Sequence, residues 1–379
     1  MTGNIMDYLE WYGNFDFDVL KFNEVDNLIL CELSYAKLDG IVPEEGDDDY
    51  ISIREAALEL DRSGTMENCC RLEQNAGKLL FAMAESKRYR KARLYNYVNK
   101  HDFENQEQFC ALHIDLDDGT TFVSFGGTDD SLLGWKEDLN MAYEMPVPAQ
   151  EEAIRYFEAT LNDRNKPIRV GGHSKGGNLA IYASLLCNES ITKRILKIYN
   201  NDGPGFLKPM LETKEYLEIA DRIQTIVPET SIIGMLLEHW ESYEVVKSNS
   251  KGLMQHDGMT WMVCTDKFVK LDELSKESMV IDKTVTAWIG GISDEERSSF
   301  IDTLYELLTK VGIKNMSDFE HYNFAKLNAL TKEMFNLKGD TGKMMKKVIR
   351  AFLMEYGKNV MKGIKIPEPK LVLRPKEKM

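Results

Sequence analysis

The stretch IRVGGHSKGGNLAIYASLL, residues 168–186, sets a β-branched run against a small-residue helical pattern with one polar hinge between them. The hinge, Gly172-His173-Ser174-Lys175-Gly176, puts a glycine two residues before and two residues after a serine. A strand that turns sharply into a helix at that serine strains its backbone and leaves no room for side chains at the flanking positions. Glycine is therefore a steric requirement of the turn. Such a turn lifts the hydroxyl above the sheet edge and presents the next N–H, that of Lys175, to the same space. Ser174 is thus a candidate nucleophile. The competing reading is a serine that only caps the helix, with the glycines shaping a tight turn. A phosphate-binding loop is disfavoured, because GGHSKGGN lacks the G-x-x-x-x-G-K-[ST] spacing.

What surrounds the hinge predicts the fold class. FCALHIDLDDGTTFVSFGG alternates apolar and polar residues around Asp118-Gly119, a hairpin signal. The strand candidates TFVSFGG, PIRVGG, ILKIYNN, RIQTIV and YEVVKS then alternate with helical patterns near 150–162, 175–188, 207–220 and 231–241. This alternation predicts an α/β fold, a mostly parallel sheet flanked by helices, with its site at the carboxyl ends of the strands. Residues 1–107 read as a mainly helical region packed on the core, with a capping box at Thr65 and Asn68. Residues 108–265 read as the core. Residues 266–379 read as a helical region that includes the capped segment starting at Ser293 and Glu296 and ends in a proline-interrupted extended stretch.

Composition narrows the classes further. A formal charge of −15 over 379 residues argues against general nucleic-acid affinity. From Thr341 onward, however, eleven Lys and Arg face three Glu. That end could dock on the acidic body, make peripheral contact with an anionic membrane surface, or form a solvated, frayed helix. Six cysteines, at 31, 69, 70, 110, 187 and 264, show neither C-x-x-C nor disulfide-like spacing, which fits a reducing compartment. Cys69 and Cys70 are read as buried thiols rather than a redox pair. Neither a signal peptide nor a membrane span is evident, so a cytoplasmic location is expected.

A serine nucleophile needs a base and an acid that orients it. His256, in the polar loop GLMQHDGMTW after YEVVKS, is preferred as base over His239 and His321. His239 lies on an apolar pattern and His321 in the helical region. His173 adjoins the serine, but neighbouring side chains in such a turn point different ways. Two acids remain open: Asp202, in NNDGPGF, and Glu229, in TIVPETS, each following a strand. Asp257 reads as a turn residue. Thr128, after Gly126-Gly127, offers an N–H and a hydroxyl to an oxyanion, or alternatively caps a helix.

These residues resemble the class 3 (fungal-type) lipases of the α/β-hydrolase superfamily. FVSFGGTDDSLLGWKEDL is similar to their F-R-G-T…D-W…D-L region, and VGGHSKGGNLA to their TGHSLGGALA turn. The likeness spans roughly 110–265. The whole chain, with FNEVDNLIL, DGPGF and QHDGMTW, is more similar still to a bacterial hydrolase-like family of unknown function. The lipase resemblance implies Ser174 as nucleophile, His256 as base, Thr128 as side-chain oxyanion donor and the Lys175 N–H as backbone donor. Glu229 falls near the position where the lipases carry Asp, and Asp202 stays open. Gly126 replaces an Arg of that pattern. By analogy SLLGWKEDLNMAY is either a lid or a fixed surface helix.

The expected function is hydrolysis of a carboxylic ester or thioester of a small or lipid-like acyl substrate, with no metal or organic cofactor. Bulk lipid digestion is disfavoured by the absence of an export signal and of disulfide spacing. SIIGMLLEHW is a candidate acyl pocket or core segment. An acyltransferase or a peptidase could use the same turn, and a non-catalytic interaction protein on this scaffold is the reading from another class.

Overall fold

The computed structural model describes residues 2–63, 75–129, 131–141, 143–162, 165–315, 329–330, 332–334 and 336–361. The expectations at Thr65–Asn68, Cys69, Cys70, His321 and 366–379 lie outside these. The described strands are β1 Thr2–Gly3, β2 Ile51–Ser52, β3 Arg93–Asp102, β4 Glu107–Asp115, β5 Thr121–Phe125, β6 Ile168–His173, β7 Ile195–Asn201, β8 Ile223–Pro228, β9 Tyr243–Val246, β10 Val263–Cys264, β11 Lys267–Phe268 and β12 Lys270–Leu271. Nine of them form one sheet in the order β12-β9-β8-β7-β6-β5-β4-β3-β2, and β1, β10 and β11 form a small second sheet. β5 to β9 are mutually parallel, whereas β2 to β5 form an antiparallel meander.

The strand order follows the chain order without a reversal. Right-handed crossovers that always step the same way place their helices on one face. Helices Pro148–Leu161, Lys175–Leu186 and Lys214–Ile219 accordingly pack with Phe109, Ala111, Val123, Phe125 and Val170 in one apolar cluster. The alternate side chains, Cys110, Leu112, Ile114 and Phe122, point to the opposite face, as the two-residue period of a strand requires. That face would be bare without the N-terminal region. Helices Ile5–Tyr12, Glu24–Glu32, Ile53–Arg62 and Asn75–Glu85 cover it and complete the second core. The N-terminal region is thus the second layer of the sheet sandwich, a role that the monotonic strand order makes necessary.

Two segments differ from the sequence expectation. β3 lies in a stretch read as helical and extends the sheet in front of residue 108, pairing with β4 across a register shift between Tyr95 and Val98. Its RLYNYVNKHD sequence carries strand residues diluted by Asn and Lys, with Asn96 at a positive φ of 53°. Residues 231–241 form no helix. Gly234 approaches so closely that an added Cβ would lie 2.2 Å from Asp202 Oδ1, and Glu238 makes a bridge with Phe206.

The C-terminal region contains helices Lys276–Gly290, Asp294–Lys310 and Gly339–Met361. The second has the expected capping box between Ser293 and Glu296. The third is basic and docks on the other two: Trp288 Nε1 donates to Val348 O (3.2 Å), and Lys347 pairs with Glu296. Among the described residues, no helix is long and apolar enough to cross a membrane.

Candidate active site

Four segments bring polar side chains to the carboxyl edge of the parallel strands. β6 runs into Ser174, β7 into Asp202 and β5 into Gly126-Gly127-Thr128, while the turn Gly252–His256 follows β9. Ser174 and Asp202 both hold a positive φ, of 56° and 53°. A non-glycine residue there costs on the order of 1–3 kcal/mol and persists only where its surroundings enforce it. Each is enforced by the neighbouring strand. Ser174 N–H donates to Asn201 O (2.9 Å), and Asp202 N–H donates to Ile226 O (2.8 Å).

The steric requirement read from the hinge is literal. A Cβ on Gly172 would lie 2.1 Å from the carbonyl carbon of Gly176, and one on Gly176 would lie 2.2 Å from Phe125 O. Gly127 is equally crowded, 2.1 Å from the Tyr35 hydroxyl. Here the two chains, after β5 and after β6, touch backbone to backbone.

His256 stands between Ser174 and Asp202. Its Nε2 lies 3.0 Å from Ser174 Oγ, and its Nδ1 lies 2.6 Å from Asp202 Oδ2. Asp202 is fully buried and can only accept, so Nδ1 carries the proton and Nε2 accepts from the serine. Ser231 Oγ donates to the other carboxylate oxygen, Oδ1, at 2.5 Å. Glu229 does not take part. Among the described residues no hydrogen bond links its side chain to His256, and its backbone pairs with Val246 and Ser275. Asp257 caps the turn Gly258–Thr260 by accepting from Met259 N–H, and burial raises its carboxyl pKa.

The His256 loop is fixed from behind. His173 Nε2 donates to His256 O (2.7 Å), and its Nδ1 faces the Tyr35 hydroxyl at 2.8 Å. Burial holds His173 well below the usual histidine range, so it stays neutral with its proton on Nε2. Its ring packs on that of His256, with centroids 4.6 Å apart. Gln255 accepts from Thr230 N–H (2.7 Å) through its side chain and from Trp261 Nε1 (2.9 Å) through its carbonyl. His173, Gln255 and Trp261 are supporting residues that the sequence reading missed, although two of them lie in the same QHDGMTW loop.

Thr128 is buried, and its hydroxyl, expected to face an oxyanion, instead donates its one proton to Asp138 Oδ2 at 2.6 Å, which leaves the backbone N–H as the group to offer. Burial pushes the Asp138 carboxyl up to about 6, against the pull of Lys175 and of the Thr128 hydrogen bond. The contacts of this helix, Leu132–Asn140, are those of the fixed alternative. Glu137 is wholly buried and accepts from Lys175 Nζ (2.7 Å), Gln108 N–H (3.2 Å) and Ala149 N–H (2.9 Å). Lys175 is 1% exposed, and its Nζ also donates to Gln108 O (2.7 Å) and Oε1 (2.8 Å). A helix bolted through a buried ion pair to the residue after Ser174 is a fixed wall.

His239 lies in the 231–241 loop with its side chain buried, and its ring is hydrogen-bonded to Gly234 O (2.7 Å) and Glu241 (3.1 Å). Among the described residues, no group of three or more His, Cys, Asp or Glu side chains is arranged to hold a metal ion.

Three solved structures share general features with the chain. One is a deletion mutant of the Rhizomucor miehei lipase propeptide complex, at 16% identity over 61% of this chain and 72% of that one, with a TM-score of 0.38. Another is M37 lipase, at 13% identity over 56% and 69%, with a TM-score of 0.34. The third is a fungal lipase–inhibitor complex, at 12% identity over 79% and 98%, with a TM-score of 0.37. Likeness at this distance carries nothing about the site, which stands on its own geometry. No curated protein matches the chain. The Mbeg1-like family model matches residues 83–306, which include β3 to β12 and every residue of the Ser174–His256–Asp202 arrangement, and the chain therefore belongs to the Mbeg1-like family.

Proposed function

We propose that this protein is a serine hydrolase that cleaves a carboxylic ester or thioester through a covalent acyl-enzyme. The observation that carries this reading is the unbroken line Ser174 Oγ, His256 Nε2, His256 Nδ1, Asp202 Oδ2, with separations of 3.0 and 2.6 Å. Ser174 Oγ attacks the acyl carbonyl carbon as His256 Nε2 takes its proton, and the carbonyl oxygen becomes the oxyanion. Buried Asp202 stabilises the resulting imidazolium and keeps it oriented. The N–H groups of Thr128 and Lys175 face the oxyanion. His256 then protonates the departing alcohol or thiol as its bond to the acyl carbon breaks. Water enters, loses a proton to His256 and releases the acid, and Ser174 recovers its proton.

Turnover of p-nitrophenyl esters tests the reading. Wild type is expected to hydrolyse at least one ester of the series, and Ser174→Ala to lose at least about 10³-fold in kcat with its fold intact. Equal rates in the two proteins would overturn the proposal.

A further inference from the structure

Asp138 has two carboxyl oxygens with different fates. Oδ2 accepts from Thr128, while Oδ1 is buried with no hydrogen-bond partner among the described residues. An apolar cavity of about 190 Å³ begins at this residue. Asp138 and Pro204 both line it, the latter two residues beyond Asp202. Gly203 lies between them, where an added Cβ would be 2.4 Å from Ser174 O. The cavity therefore starts against the chain that carries the site. Leu139 and Leu237 are among its lining residues, with Val285, Trp288, Arg297 and Phe300 of the C-terminal helices.

Those helices are anchored to the site loops. Ser275 N–H donates to Glu229 O (2.7 Å), Ser275 and Thr230 hydroxyls lie 2.9 Å apart, and Ser278 Oγ donates to Ser231 O. Ser231 is the residue whose hydroxyl holds Asp202. The next helix is tied by Lys136 to Asp302 at 2.8 Å. The roof thus shares supports with the Asp202 loop and with the Thr128–Asp138 wall.

We propose that helices Lys276–Gly290 and Asp294–Lys310 are the specificity element of the enzyme, closing this cavity over one compact apolar acyl group. The inference rests on the serine-hydrolase reading of Ser174. The volume sets the substrate class: a cavity of about 150 Å³ holds one benzene, so this one holds about six to eight carbons. Pockets for whole drug-sized or lipid-sized molecules start at about 300 Å³. A longer acyl chain outgrows this volume and must run out past the roof or displace it.

The test is the chain-length profile of p-nitrophenyl esters from two to sixteen carbons, read as kcat/KM for the full chain. The expected profile peaks near six to eight carbons and falls at least about tenfold by sixteen. Val285→Trp, which fills the cavity, should raise the ratio of two-carbon to eight-carbon kcat/KM by at least about tenfold. Phe300→Ala, which enlarges it, should move the peak to longer chains. A profile that neither substitution shifts, or one that peaks at sixteen carbons in wild type, would overturn the proposal. If no ester is turned over, calorimetric titration of 1-hexanol into Ser174→Ala still decides whether the cavity takes an apolar chain. Binding that Val285→Trp removes upholds it, and no binding in either protein overturns it.

Discussion

Among the described residues, two pairs of an Arg or Lys with a carboxylate are almost fully shielded from water, and they do different things. Arg88 and Asp26 sit in the N-terminal layer. The guanidinium bonds Asp26 through Nε (2.7 Å) and Nη2 (2.5 Å), and its remaining N–H groups reach the carbonyls of Phe15, Leu20 and Lys21. Tyr8 and Tyr89 hydroxyls also donate to Asp26. Every segment joined in this way belongs to the layer that covers the far face of the sheet. Lys175 and Glu137, in contrast, join the helix after Ser174, the start of β4 and the helix beyond Thr128. Both pairs satisfy the rule that buried charges must be paired and hydrogen-bonded. Only the second fixes the spacing between the two proposed oxyanion donors, so equal burial carries unequal functional weight.

The largest break in that comparison is expected from Lys175→Met, which strands Glu137 as a buried, unpaired charge. Loss of about 3–5 kcal/mol in denaturant unfolding is expected. A fall in kcat on the order of 10- to 100-fold should accompany it, since sub-ångström errors in placement are costly to catalysis. Arg88→Ala should cost a similar loss, about 3–5 kcal/mol in stability, and leave kcat per folded molecule at the wild-type level. If both substitutions lower kcat alike, the distinction collapses. The double variant Lys175→Met/Glu137→Gln sharpens it: stability should recover by about 1–3 kcal/mol over the single variant while kcat does not.

The smallest expected effect is that of Asp138→Asn. Burial raises the folded-state pKa of this acid from 3.8 to about 6. The folded protein therefore holds the proton more tightly than the unfolded chain does. Its stability contribution is best below 3.8 and is lost as pH rises to about 6. Removing the charge should stabilise the protein by about 1–3 kcal/mol at pH 7 to 8, with the advantage gone by pH 4. Melting temperature against pH reads this directly, and a variant advantage that grows on acidification would have the wrong sign.

The hinge was legible because its glycines answer to hard sterics: Gly172 and Gly176 touch backbone atoms, which no sequence context can move. The parallel strands were legible for a similar reason, as buried β-branched runs set between turn residues. The choice between Asp202 and Glu229 was not, because both follow parallel strands and differ only in backbone conformation. Asp202 turns inward at φ 53°, and its buried carboxylate meets His256. Nor was the role of Lys175 legible beyond its N–H, since a lysine at the start of a helix reads as solvated until a buried glutamate meets it. The loop 231–241 misled because its apolar residues follow a helical period. Its actual path is set by Gly234 against Asp202, a contact with a distant strand end, and by the bridge of Glu238 to Phe206.

One measurement bears most directly on the central claim that Ser174 is activated by His256 and Asp202. The protein would be incubated with a fluorophosphonate probe, and the modified peptide identified by mass, in wild type, His256→Ala and Asp202→Asn. The expected result is a single adduct on Ser174 in wild type, with labelling slowed by at least about 10³-fold in both variants. A folded wild-type protein that takes no label, or labels equally fast without His256, would contradict it.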